Sequence, residues 1–404
     1  MKATYLPWEL ETEILYRVPA TSLKQLRFTC KRWYALSIDP FFIKKNLGGK
    51  AATQMVLKKY QSVYSFSFDL HGIHNRYDQF IKFTGKLENL KDPGDVKISE
   101  IFQCESLLLC TTKDERLVVW NPCTGQTRWI QSSAMYHTCF LGYKNNNKYS
   151  FDSYKIFSCS TYLDDQDATV RKFETYDFDS DSWRVLDDDT HSWSIASRGV
   201  SLKGDTYWLN SDDEEEPDLI NSILVYDFTS ESFGRLPLPF QVNNYYDDQE
   251  VVVLSVVREE KLAMLHQRLG SLEMKIWVTN NITDEAKDDL SWSVFLVVDL
   301  GKLMINNRTK VTSFLVDEEN KRAMCCFFHE VLTRIYIVGE DIHKRVYREM
   351  KENPSVLDWE PPSLKRSQRP LLFSYVPSFV RIPTRQSNPG GKRKRWQVDS
   401  VTYS

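Results

Sequence analysis

Between residues 6 and 42 the apolar positions of LPWELETEILYRVPATSLKQLRFTCKRWYALSIDPFF recur at helical intervals. Pro7 suits a first helical turn, where a missing N–H costs nothing. Glu9 and Glu11 place negative charge at the positive end of the helix dipole. The spacing predicts a helix to about Arg17. At about 100° per residue, Leu10, Ile14, Val18 and Leu15 fall at roughly 0°, 40°, 80° and 140°, an arc wide enough to meet two neighbours. Pro19 stops this helix. Ser22 with Gln25 has the form of a capping box and predicts a second helix carrying Leu23 and Leu26. Cys30, Trp33 and Leu36 mark a third, ended by Asp39-Pro40.

Farther on, the pattern becomes that of strands. Residues 43 to about 95 form a transition, with a polar hinge of Lys44, Lys45, Gly48, Gly49 and Lys50. First strands follow at QMVL (54–57) and VYSFSF (63–68). Then LVVWNPCTGQTRWI (117–130), FETYDFDSDSWRVL (173–186) and ILVYDFTSESFGRL (223–236) share one plan: an apolar strand, a polar turn, and an aromatic opening a second strand. The turn residues supply side-chain hydrogen bonds or positive φ, which predicts a β-hairpin for each. Taking Trp120, Tyr176, Tyr226 and Trp277 as one position, the steps are 56, 50 and 51 residues, the period of a four-stranded propeller blade. Hairpins of a second kind, GVSLKGDTYWL (199–209), LSVVREEKLAML (254–265) and SFLVDEENKRAM (313–324), lie between them. Two hairpins per period make four strands per blade, and the length predicts about six blades.

A helical unit of roughly 40 residues has too little core to stand alone, and no disulfide or metal staples this one. Periodicity leaves two readings: a cap on the following domain, or a docking module whose apolar arc awaits a partner. A net charge of −3 and an apolar fraction of 42% indicate a soluble protein with no pull toward nucleic acid or membrane. The opening MKATYLPWELETEIL lacks a signal-peptide core, and no run approaches the ~20 apolar residues of a membrane span, which predicts residence in the cytosol or nucleus. Eight cysteines without a CxxC pair read as reduced, mostly buried small hydrophobes.

The combination LPWEL, EIL, RVPATSLKQLR, TCKRWYAL and DPFF resembles the F-box of the plant F-box proteins that carry an associated C-terminal domain. VWNPCTGQTRWI, YDFDSDSWRVL, RGVSLKGDTYWL, YDFTSESFGRLPLPF, SVVREEKLAML, MKIWVTNNI and PLLFSYVPSFVRI resemble successive segments of that domain in order. The paired glycines of a true kelch blade are absent. The resemblance implies an α+β multidomain chain with a three-helix F-box over 1–45 and a repetitive antiparallel all-β domain over 95–385; the pattern between them reads as a linker and first strands over 46–94, and the Pro, Gly, Ser and basic composition of 386–404 reads as a disordered tail. It also implies docking on a Skp-type adaptor of a cullin-based ubiquitin ligase. Leu6, Pro7, Leu10, Ile14, Leu15, Val18, Pro19, Leu23 and Leu26 stand at adaptor-facing or motif-core positions, and Lys31, Arg32 and Trp33 match the basic-aromatic segment, with Trp33 counted in the adaptor-binding set. Phe28 and Tyr34 are bulkier than the residues often found there.

No constellation for catalysis or metal binding is legible. His71 and His74 lack a third ligand, His137 and Cys139 have no recognisable orienting partner, and no Gly-rich phosphate loop occurs. Asp179-Ser-Asp-Ser-Trp183 reads as a turn. The expectation is a non-catalytic receptor without cofactor, holding an adaptor, through it a cullin, and an unknown target protein. A propeller enzyme acting on glycans and a scaffold that delivers no target are the alternatives. The acidic clusters 187–189 and 212–216 read as solvated loop tips or as a rim for a basic target segment. Lys392, Arg393, Lys394 and Arg395 read as a nuclear import address or a solubilising end.

Overall fold

The computed structural model describes residues 6–39, 41–43, 45, 54–59, 62–68, 81–87, 96–131, 137–144, 154–163, 169–186, 193–195, 197–212, 220–242, 250–282, 290–303, 305, 309–329, 332–349 and 369–382. The basic tail, both acidic clusters apart from Asp212, and His71 and His74 lie outside these residues. Three helices open the chain, α1 (Trp8–Tyr16), α2 (Ala20–Leu26) and α3 (Lys31–Leu36), with a further helical turn at 41–43. Among the described residues strands follow, arranged as six antiparallel sheets, with one 3-10 turn at Leu300–Leu303.

The first sheet contains β1 (Gln54–Lys59), β2 (Ser62–Phe68) and β3 (Ile81–Lys86), and the second β4 (Ile98–Cys104), β5 (Leu107–Thr112), β6 (Leu117–Asn121) and β7 (Gln126–Ile130). The third runs through β8 (His137–Tyr143), β9 (Tyr154–Leu163), β10 (Thr169–Asp177) and β11 (Ser182–Val185). In the fourth, β12 (Trp193–Ile195) and β13 (Val200–Leu202) both pair with β14 (Asp205–Asp212), which is followed by β15 (Ile220–Asp227) and β16 (Ser232–Val242). The fifth has β17 (Glu250–Val257), β18 (Lys261–Arg268), β19 (Glu273–Thr279) and β20 (Trp292–Asp299). The sixth has β21 (Lys310–Asp317), β22 (Arg322–His329), β23 (Leu332–Gly339) and β24 (His343–Arg348). The last strand, β25 (Leu371–Tyr375), returns to the first sheet, whose order is β25-β1-β2-β3. Six such sheets around an axis, five of four strands and the fourth with its inner position shared by β12 and β13, are a six-bladed propeller, the count expected from the period.

Residues 54–86, set apart in sequence as first strands after a linker, are thus three of the four strands of the closing blade. The inner strand comes from the far end of the chain, in register from Gln54↔Tyr375 to Lys58↔Leu371. No edge is left at the join, so the ring is shut by a ladder rather than by loops.

The repeat position read from sequence is the third strand of its blade each time: Trp120 on β6, Tyr176 on β10, Tyr226 on β15 and Trp277 on β19. The following turn is built the same way three times. Asn121 Oδ1 accepts from the amides of Cys123 and Thr124 (2.9 and 3.2 Å), Asp177 Oδ1 from Asp179 and Ser180 (2.8 and 3.3 Å), and Asp227 Oδ1 from Thr229 and Ser230 (2.7 and 3.2 Å). Four residues on, the chain turns through positive φ at Gly125, Asp181 and Glu231. The capping carboxylate in 177–183 is therefore Asp177, not Asp179.

Apolar clusters fill the gaps between neighbouring blades, for example Val56, Trp120 and Phe373 between the first and second, and Ile276, Phe314 and Tyr336 between the fifth and sixth. Middle strands such as β5 and β6 are covered on both faces and read as continuous apolar runs. Charged latches cross from blade to blade. Arg128 of the second meets Asp181 of the third at 2.7 Å, and Lys155 and Arg184 of the third both meet Glu231 of the fourth.

Candidate functional site

All inner strands run the same way in such a ring, so the two ends of the central channel differ. At the end reached by Cys104, Val257 and Asp317, the segment 376–382 leaves β25 and crosses the second blade. Ser378 Oγ lies 2.5 Å from Ser106 Oγ. Asn121 Nδ2 donates to the carbonyls of Ser378 (3.1 Å) and Val380 (2.7 Å), and the amide of Ile382 donates to Gln126 Oε1 (3.4 Å). Phe379, Val380 and Ile382 are buried in one apolar cluster with Leu15, Ala20, Leu23, Leu36, Phe42 and Ile43 of the helical unit. The Arg27 guanidinium lies 5.5 Å from the Phe379 ring centroid, stacked also on Phe28 at 4.8 Å. Burial pushes the Cys123 thiol up to about 11 while Lys24 and Arg27 oppose it, which places α2 beside the β6–β7 turn.

The helices hold one another through polar contacts as well. Glu11 on α1 accepts from the Trp33 indole and pairs with Arg32 at 2.7 Å, and Arg32 lies 4.4 Å from the Trp8 ring centroid. Tyr16 stacks on Phe42 at 4.8 Å. The capping box at Ser22 and Gln25 does not form. Helix α2 starts at Ala20 with Pro19 at its N-cap, because the Pro19 carbonyl already receives the amides of Ser22 (2.9 Å) and Leu23 (3.0 Å). Cys30 caps α3 instead, its Sγ accepting the Trp33 amide at 3.4 Å. Asp39 Oδ1 takes the Phe42 amide at 2.8 Å and so opens the next helical turn, while α3 itself has ended at Leu36.

The ten residues singled out from sequence divide. Leu15 and Leu23 are 4% and 5% exposed and seat the unit on its own propeller. Val18, Pro19, Leu26 and Trp33 are half-buried. Pro7 is exposed, and Leu6, Leu10 and Ile14 are each more than half exposed, Leu10 and Ile14 four residues apart on one helical face. The apolar arc of α1 therefore does meet two environments: its Leu15 edge lies inside, and its Leu10 and Ile14 edge faces solvent. Sequence reasoning did not single out Trp8, Ile38 and Phe41, also exposed, or foresee that Phe28 (72%) and Tyr34 (49%) avoid crowding by facing outward. The signal was an excess of large apolar side chains over what one small seat can cover. Among the described residues no group of His, Cys, Asp and Glu is placed to hold a metal ion, and no helix is long and apolar enough to cross a membrane.

The F-box domain family matches residues 4–45, and the F-box associated beta propeller domain family matches 53–382. This chain is an F-box protein with an F-box-associated β-propeller domain. Two F-box/kelch-repeat proteins of Arabidopsis thaliana are each 49% identical to it. One matches over 96% of this chain and 95% of its own length, the other over 97% and 100%. A third from the same plant is 45% identical over 95% of this chain and 96% of its own. F-box proteins are typically non-catalytic adaptor subunits. In this one the F-box is seated on the closing segment of the propeller, with an apolar side turned away from that seat.

Proposed function

We propose that the chain is the substrate-recognition subunit of a Skp–cullin–F-box ubiquitin ligase, resident in the cytosol, the nucleus or both. Its F-box binds a Skp-type adaptor and through it a cullin, and its β domain binds a target protein for ubiquitination and degradation. The observation that carries this reading is the division of the F-box: Leu15, Leu23 and Leu36 anchor it to the propeller, while Leu6, Leu10, Ile14 and Phe28 remain uncovered. Exposed apolar side chains clustered on so small a unit mark an interaction surface. The propeller's part is proximity. A target lysine held near a carrier's thioester reacts as if intramolecular, so no residue of this chain needs to perform chemistry.

The test is the double variant Leu10→Asp, Ile14→Asp in the full chain. Each aliphatic side chain contributes ~1.5–3 kcal/mol when buried, so replacing two by carboxylates lowers adaptor affinity on the order of a hundredfold or more. Circular dichroism and thermal unfolding stay unchanged because both positions face solvent. Retention of a purified Skp-type adaptor by the double variant overturns the reading.

A further inference from the structure

Each blade ends in an outer strand with one free edge, and a free edge invites another chain to pair with it. Five of the six are blunted. Strand β3 ends on Lys86, β7 and β11 are only 5 and 4 residues long and carry Arg128 and Arg184, β16 contains Pro237 and Pro239, and β24 reads His343-Lys-Arg-Val-Tyr-Arg348. The sixth, β20, is Trp292-Ser-Val-Phe-Leu-Val-Val-Asp299, with no Pro, no Gly and no charge before its last residue. Within the fifth sheet it pairs with β19 alone.

The register to β19 divides the side chains of β20 between two faces. Leu296 opposes Ile276 and Val298 opposes Met274, and all four are buried in the cluster between the fifth and sixth blades. Val294 opposes Trp277 and Val297 opposes Lys275, with Phe295 the extra residue of a bulge between them. Because of that bulge two residues three apart share a face, and Val294 and Val297 stand together at 56% and 51% exposure. Leu272, 62% exposed, lies at the end of the strand, its carbonyl accepting the Leu300 amide at 2.7 Å. A bulge can itself blunt an edge, but β3, β16 and β24 have a register shift as well and add charge or Pro to it.

We propose that β20 is a dimerisation edge, pairing antiparallel with β20 of a second copy of this chain about a twofold axis. The strand's own pattern selects that occupant. Setting Val294 of each copy against Val297 of the other also sets Trp292 against Asp299 and Ser293 against Val298. With the bulge, the members of each of these pairs lie on one face, so exposed valine covers exposed valine twice. Charge agrees with this arrangement: Asp299 is the only charge on the strand, and the two copies of it fall at opposite ends of the ladder, roughly 20 Å apart, where parallel pairing would bring them together. Each copy spends its one open edge on the other, so the assembly closes at two. The F-box is seated at the second blade, across the ring from the fifth, which leaves β20 clear of an adaptor. The pairing does not depend on the ligase reading.

The test is sedimentation velocity on the full chain from about 1 to 100 μM, the range suited to an interface this small, where monomer passes to a closed dimer. Val294→Lys and Val297→Glu, each alone, raise the dissociation constant by about tenfold or more, because each sets a charge against a valine of the other copy. Circular dichroism and thermal unfolding stay unchanged, since both positions face solvent. Mixed in equal amounts, the two variants dimerise again, the introduced ammonium of one meeting the introduced carboxylate of the other. Should one variant fail to fold, the other reads the same contact by itself. A monomer at every concentration, open-ended aggregates in place of a dimer, a dimer indifferent to either substitution, or a mixture of the two folded variants that stays monomeric overturns the proposal.

Discussion

The carboxylate of Glu11 on α1 accepts the indole N–H of Trp33 on α3, tying the first helix to the third. The same carboxylate holds Arg32 at 2.7 Å, so one side chain joins the first helix to the basic-aromatic segment of the third. Glu11→Ala leaves a half-buried indole N–H without this acceptor and costs about 1–2 kcal/mol of local stability. Amide hydrogen exchange is the measurement: protection falls in α1 and α3 and stays unchanged in β5, β6 and β18. Equal protection throughout in wild type and variant refutes the tie.

Leu10 and Leu15 look alike in sequence and differ in the fold. Leu15→Ala or Leu23→Ala removes a side chain from the seat on the propeller and costs about 2–5 kcal/mol of the helical unit's stability. Leu10→Ala and Ile14→Ala, at 54% and 53% exposure, change stability by less than about 0.5 kcal/mol. Denaturant unfolding followed separately by helical and strand signals distinguishes the two pairs, and a large cost at Leu10 contradicts the division.

Asn121 is the clasp of the ring. Its amide donates to Ser378 and Val380, its Oδ1 accepts from Cys123 and Thr124, and no part of it is exposed. Asn121→Ala strands two carbonyls and the Thr124 amide at once, while the Cys123 amide keeps the Tyr375 hydroxyl at 3.2 Å, and costs on the order of 2–4 kcal/mol. The segment 376–382 then becomes the first site cut by a protease, with β6 and β7 still protected. Unaltered resistance of that segment rules the clasp out.

Lys58 makes stability depend on pH. Its ammonium is held down to about 7, against the usual 10.5, by burial first and the Arg198 charge second, with Glu100 opposing. Below pH 7 both the folded and the unfolded chain carry the proton, and folding bears the whole cost of a buried charge. Between 7 and 10.5 only the unfolded chain binds it, so stability rises with pH across that window, by roughly 4 kcal/mol at most. Lys58→Met removes this trend. A denaturation midpoint that does not climb from pH 7 to 10 in the wild type relative to Lys58→Met contradicts it.

Much of the propeller was legible because its constraints are local. A strand between two covered faces must be apolar, and the turn after it needs an Asx acceptor and a residue tolerating positive φ, so the third strand and its turn write the same words at 117–130, 173–186 and 223–236. The closing blade was not legible, since β25 meets β1 across nearly the whole chain and nothing in either strand names its partner. The start of α2 was misread because Ser22 has the right side chain, yet the Pro19 carbonyl had already taken its amide. For the F-box, periodicity gives the width of an apolar arc but not which neighbour covers which edge. That is why Leu15 and Leu23 stood beside Leu10 and Ile14 in one set.

Phe379, Val380 and Ile382 underlie the F-box, yet they are translated hundreds of residues after it. A nascent polypeptide still on the ribosome has emitted its helices long before their seat exists, and a prematurely terminated product never acquires that seat. Correct posture of the recruiting end is thereby made conditional on synthesis having passed residue 382, so a truncated chain holds its helices in no fixed relation to whatever its unfinished ring might grasp.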